Sequence, residues 1–196
     1  MKSSLIIALL LITKFGFASN QLADSLKLGQ KLEGFTLENT VKGQSEKVSL
    51  SDYKDQRGAI IVFMTNGCHH CILYRDRIKA FQTKYASKGY PLITINPSPT
   101  YAPEETLELM QKNASKENYD FPYLRDPDQN IALKYFVHYT PEVYILKKKG
   151  EDWILQYVGP IDDDMENKKK DKLTYVDNVM NAILNHQKLP EYSVSK

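Results

Sequence analysis

The chain has 196 residues, enough for one domain with a proper core. Its net charge is +2, from 26 Lys and Arg against 24 Asp and Glu, which argues against electrostatic capture of nucleic acid as its main task. With only 2 cysteines it is not a small disulfide scaffold.

In chain order, Lys2 precedes an apolar run at residues 5–12, Lys14 closes it, and Gly16-Phe17-Ala18 supplies small residues at the two positions a signal peptidase reads. The run is too short to span a bilayer comfortably. Residues 1–18 are therefore expected to be a signal peptide, with the mature chain starting near Ser19 and exported, periplasmic or extracellular, without stable membrane insertion. No cysteine lies near the cleavage site to carry a lipid.

Residues 19–27 read as a polar lead-in. Phe35, Leu37, Val48 and Leu50 then alternate with polar neighbours around Lys42-Gly43, predicting a hairpin. Residues 59–65, AIIVFMT, are continuous, apolar and β-branched, the pattern of a strand buried on both faces. After 66-NGCHHC-71, Tyr74, Ile78, Phe81 and Tyr85 recur at helical spacing, with a stop near Gly89. A short strand at 92–95, a loop at 96–103 and a helix over 104–116 with acidic residues in its first turn follow. Residues 121–130 read as extended and turn-rich, and 131–137 as a short helix. Strands at 142–146 and 153–159 flank a Lys/Gly turn. The loop 162–171, with Asp162-Asp163-Asp164, reads as a solvated turn, and Leu173, Val176, Val179, Met180 and Ile183 as a last amphipathic helix. The lysine runs 147–149 and 168–170 read as solvated loop charge. A parallel crossover early and an antiparallel hairpin late imply an α/β fold, a central mixed sheet flanked by helices with an N-terminal β-hairpin extension. The expected domain covers residues 28–187, with 188–196 as a tail.

The chemistry concentrates in Cys68-His69-His70-Cys71. A disulfide between residues so close would constrain little of the unfolded chain, so the pair is a poor staple. At a strand-to-helix junction, a sulfur near the helix N-terminus gains from the helix dipole, which favours the reactive thiolate. Cys68, at the helix start, is the expected nucleophile, and Cys71, one turn inside, the thiol that resolves a mixed disulfide. Protonated His69 and His70 would add to thiolate stabilisation and tune the potential.

This unit, followed downstream by 140-TP-141 leading into a strand, resembles the thioredoxin superfamily. The wider frame, in 32-LEGFTLENTVKG-43, 48-VSLSDY-53, 76-DRIKAFQTKYASKGY-90, 94-TINPS-98, 121-FPYLRD-126 and 159-GPIDD-163, resembles its redoxin branch, related to alkyl hydroperoxide reductase and thiol-specific antioxidant proteins. The resemblance implies a thioredoxin-like fold, a cis-proline at Pro141 opposite the sulfurs, and Thr140 presenting backbone groups to an extended substrate. It implies thiol–disulfide exchange with protein thiols or disulfides and an upstream redox partner, without a cofactor. The buried acid that many thioredoxins carry six residues before the first cysteine is replaced by Val62, and Asp76 and Arg77 read as a surface charge pair.

Two alternatives remain open. Thr65, three residues before Cys68, matches the peroxidatic pattern of peroxiredoxins, although Ile61 stands where they carry a proline. Cys68, Cys71 and His138 could instead hold a soft ion such as Cu(I), but the four ligands zinc requires are not evident.

Overall fold

The structure, a computed structural model, describes residues 26–192. The signal peptide expected at 1–18, most of the lead-in and the end of the tail lie outside the described residues.

The elements in chain order are β1 (Lys31–Leu32), β2 (Thr36–Asn39), β3 (Lys47–Ser49), β4 (Gly58–Phe63), α1 (His69–Tyr85), β5 (Leu92–Asn96), α2 (Leu107–Lys116), β6 (Tyr123–Arg125), α3 (Asn130–Lys134), β7 (Glu142–Lys149), β8 (Asp152–Gly159) and α4 (Tyr175–Leu184). Among the described residues the strands form one mixed sheet in the order β1-β8-β7-β4-β5-β6-β2-β3. β4 is parallel to β5 and antiparallel to β7, and β7 and β8 form the late hairpin. The early hairpin, β2 with β3, joins the sheet because β2 pairs with β6.

Every residue of β4 is buried, as its uninterrupted apolar run predicts. Period-two alternation divides its side chains between two cores. Ile60, Val62 and Met64 pack with α1, α2 and α4 through residues such as Tyr74, Ile78, Met110, Val179 and Met180. Ala59, Ile61 and Phe63 pack on the other face with Phe35, Ile131, Tyr135 and Tyr144. α1 buries Cys71, Tyr74, Ile78, Phe81 and Tyr85, the stripe its spacing marked. A 3-10 turn at Ala86–Lys88 ends it, and Gly89 takes the left-handed φ of 84° that favours glycine.

Five local readings are corrected or refined. The helix expected over 104–116 starts later, because Thr106 is its N-cap and accepts from the Leu109 N–H at 3.3 Å. Glu104 and Glu105 precede it, and Glu105 is turned into the protein. The 121–130 segment contains β6, too short to show a period of its own and held between β5 and β2. The Asp162–Asp164 stretch is not simply a solvated turn, since Asp162 and Asp164 are buried. Arg77 forms no surface pair with Asp76. It donates to Asp162 Oδ2 at 2.6 Å and to the carbonyls of Asp164 and Met165 at 2.7 and 2.5 Å, and lies 3.9 Å over the Tyr74 ring. Tyr74 also donates to Asp162 Oδ1 at 3.0 Å, so α1 is tied to the loop after β8. Of the lysine runs, 147–149 belongs to the end of β7, and Lys148 lies 5.4 Å over the Trp153 ring, its charged end carried on a covered stem.

Candidate active site

β4 delivers the chain to the carboxyl end of the sheet's central strands, and α1 begins four residues after Thr65, with Cys68 just ahead of it. Cys68 caps α1 in an extended conformation, φ −71° and ψ 114°, and its sulfur accepts from the Cys71 N–H at 3.2 Å. The sulfur thus occupies the place an oxygen usually takes at an N-cap, facing an N–H that has no intrahelical partner. From the other side, the Cys68 thiol lies 3.2 Å from the Thr140 carbonyl, to which it donates. The Thr140–Pro141 peptide is cis, as the resemblance implied. The structure therefore brings Cys68, Cys71, Thr140 and Pro141 together, although the two sulfurs are free thiols here.

The two cysteines differ in surroundings. Cys68 is half-buried and Cys71 buried at the base of α1. Burial pushes the Cys71 thiol up to about 12, and the hydrogen bond with Cys68 and its nearby charge add to the rise. The Thr65 backbone N–H and the Thr140 hydroxyl act against it. Thr65 thus meets the inner sulfur through its backbone. Val62, at the position of the acid found in many thioredoxins, is fully buried in apolar surroundings.

His69 and His70 are exposed on the first turn of α1, their ring centroids 6.2 Å apart. His138 is also exposed, and its backbone N–H donates to Glu142 Oε2 at 3.0 Å. Among the described residues no group of three or more His, Cys, Asp or Glu side chains is placed to hold a metal ion, so Cys68, Cys71 and His138 do not assemble as one.

Glu142, the residue after Pro141, is fully buried. Its Oε2 takes the His138 N–H and lies 3.0 Å from the Tyr144 hydroxyl, whereas Oε1 has no hydrogen-bond partner. Burial raises its pKa, with the His138 N–H, the Tyr144 hydroxyl and the His138 charge opposing. A group whose folded value lies above its unfolded value contributes most stability at low pH and loses it as pH rises through the folded value. The wild type is therefore expected to fall in stability relative to Glu142→Gln as pH climbs above the ordinary glutamate range, in melting curves from pH 4 to 7.5. A gap that stays constant with pH would contradict this.

A polar network that no local pattern marks lies beneath the motif. Asn66 Oδ1 accepts from Asn113 Nδ2 at 2.9 Å and from the Tyr123 hydroxyl at 3.1 Å, and its Nδ2 donates to the Glu104 carbonyl at 3.0 Å. Beside it, a groove of about 460 Å³ runs between α1 and α2, with Ile72 and Leu109 exposed on its walls and Lys112 and Lys116 along one side.

A sheet of this order, with a strand-to-helix dithiol facing a cis-proline, defines a thioredoxin-like fold. A putative thiol:disulfide interchange protein DsbE from Chlorobium tepidum shares it, with 19% identity, 82% of this chain and 99% of that chain covered, and a TM-score of 0.60. The model of the AhpC/TSA family matches residues 28–151, and the chain belongs to that family. A hypothetical protein from Sinorhizobium meliloti 1021 is similar at 29% identity, over 87% of this chain and 91% of that chain, with a TM-score of 0.75. An uncharacterized conserved protein from Geobacillus kaustophilus is similar at 28% identity, over 86% and 87%, with a TM-score of 0.75. No curated protein matches the sequence. Among the described residues no helix is long and apolar enough to cross a membrane.

Proposed function

We propose that the protein is an exported thiol–disulfide oxidoreductase that exchanges disulfides with protein partners through Cys68 and Cys71. The observation that carries this reading is the asymmetry of the pair. Cys68 is half-buried at the helix start, held between the Cys71 N–H and the Thr140 carbonyl, while Cys71 is buried with its thiol pushed up to about 12.

In the reducing direction the Cys68 thiolate attacks one sulfur of a substrate disulfide. A Cys68–substrate disulfide forms and the other substrate sulfur leaves as a thiolate, which takes a proton. Cys71, once deprotonated, attacks the Cys68 sulfur. The Cys68–Cys71 disulfide forms, the second substrate sulfur leaves, and two electrons have passed to the substrate. The oxidising direction is the exact reverse. Thr140 presents its backbone to an extended substrate segment beside Pro141. The exposed imidazoles of His69 and His70 tune the thiolate when protonated. Residues 1–18 act as the export signal, residues 28–187 form the catalytic domain, and an upstream redox partner resets the pair.

The test is a direct comparison of substrates. The full chain, given a dithiol reductant, is expected to accelerate reduction of a protein disulfide such as those of insulin, and to consume hydrogen peroxide little faster than free thiols do. Rapid peroxide consumption without protein disulfide reduction would favour the peroxidase reading drawn from Thr65 and overturn this one.

A further inference from the structure

The carboxylate of Glu105 is the least expected group near the cysteines. It is 6% exposed, on the loop before α2, and reaches back 38 residues to the turn that carries the motif. Its Oε1 accepts the Gly67 N–H at 2.8 Å, and its Oε2 accepts the Asn66 N–H at 2.9 Å and the Asn96 side-chain amide at 2.6 Å. Asn96 also donates to the Tyr123 hydroxyl at 3.0 Å, and Tyr123 donates to Asn66, so the turn is gripped through backbone and side chain together. An ionised carboxylate is an acceptor-only group whose two oxygens offer about four lone-pair sites, enough for all three N–H donors.

The grip has two consequences for the neighbouring cysteine. The N–H groups of residues 66 and 67 would otherwise present partial positive charge just ahead of Cys68. They are instead turned onto a fixed anion. The charge itself is shielded from water and sits next to the residue that precedes Cys68, where it opposes a second negative charge on the sulfur. A less stable thiolate makes the dithiol form less favoured and the disulfide form more so.

We propose that Glu105 is a positioning residue of the redox site: it fixes the Asn66–Gly67 turn ahead of Cys68, and its charge biases the cysteine pair towards the disulfide form, making the reduced protein a better electron donor. This rests on the reading of Cys68 and Cys71 as an exchanging dithiol. It goes beyond that reading by assigning a direction to the bias. No atom of Glu105 joins the reaction. The electrons remain on the four sulfurs already described.

Glu105→Gln keeps the length and one acceptor oxygen but removes the charge. Glu105→Asp keeps the charge and shortens the reach. Each is made in the full chain, and two quantities are read. One is the equilibrium of the cysteine pair against glutathione. The other, in a Cys71→Ser background, is the pH profile of Cys68 alkylation by iodoacetamide. Glu105→Gln is expected to shift the equilibrium about tenfold towards the dithiol, about 30 mV in potential, and to move the alkylation profile to lower pH. Glu105→Asp is expected to lose thermal stability yet keep an alkylation profile within about twofold of the parent. A folded Glu105→Gln with unchanged equilibrium and profile would overturn the proposal. So would a Glu105→Asp profile moved to lower pH, which can be read even if the glutamine variant does not fold. Failure of the protein to exchange disulfides with protein substrates would count against the proposed function alone, because the alkylation profile needs only the Cys68 thiol.

Discussion

Replacing Cys68 with serine is expected to lower protein disulfide reduction by about 10³-fold or more, because the attacking sulfur is gone and the buried Cys71 cannot take its place. Cys71 lies at 1% exposure, and its thiol is held protonated by burial. Cys71→Ser should behave differently. Cys68 can still attack, but nothing resolves the product, so a covalent Cys68–substrate disulfide should accumulate and be released by added dithiol. Intact mass spectrometry of the two variants after mixing with a disulfide substrate separates the roles. Adducts on Cys68→Ser in place of Cys71→Ser would reverse the assignment of nucleophile and resolving thiol.

The second large effect concerns the lock between α1 and the loop after β8. Arg77→Ala is expected to destabilise the fold by about 3 kcal/mol, since it takes the nearer of two cations from a carboxylate whose side chain is 2% exposed. Tyr74 and the Asp164 N–H still reach Asp162, and Lys172 stays 3.9 Å from its Oδ2, which keeps the loss at the lower end for a broken buried pair. For a chain of this size the melting temperature should fall by about 9 °C. Arg77→Lys should recover only part of the loss, because an ammonium cannot span Asp162 and the two carbonyls as the guanidinium fork does. Denaturant unfolding of the three proteins checks the ranking. A loss below about 1 kcal/mol for the alanine variant would mark the pair as an ordinary surface contact.

Much of this architecture was legible wherever one segment carries its own signal. The apolar run that became β4, the helical stripe of α1 and the left-handed stop at Gly89 are local patterns that the tertiary structure reinforces. The pairing of the dithiol with Thr140-Pro141 is a contact across 72 residues, and it was legible only through the family resemblance. The unread parts are those whose meaning lies in distant partners. β6 is a strand because β5 and β2 flank it, not because three residues show a period. Glu104 and Glu105 look alike in sequence, yet one is exposed and the other binds the turn before Cys68. Arg77 and Asp162 looked solvated because neither has its partner nearby in the chain. A charge beside other charges gives no sequence signal for burial, so the ion pair and the carboxylate under the motif emerge only from the fold.

On the proposed function, Cys68 and Cys71 act as one two-electron redox pair. Equilibrating the full chain in glutathione buffers of graded poise, then alkylating and weighing the intact protein, tests it most directly. The expected result is a single transition in which both thiols disappear together as an intramolecular disulfide forms, with a midpoint independent of protein concentration. Two alkylatable thiols persisting across the whole range, or glutathione adducts without the internal disulfide, would contradict it.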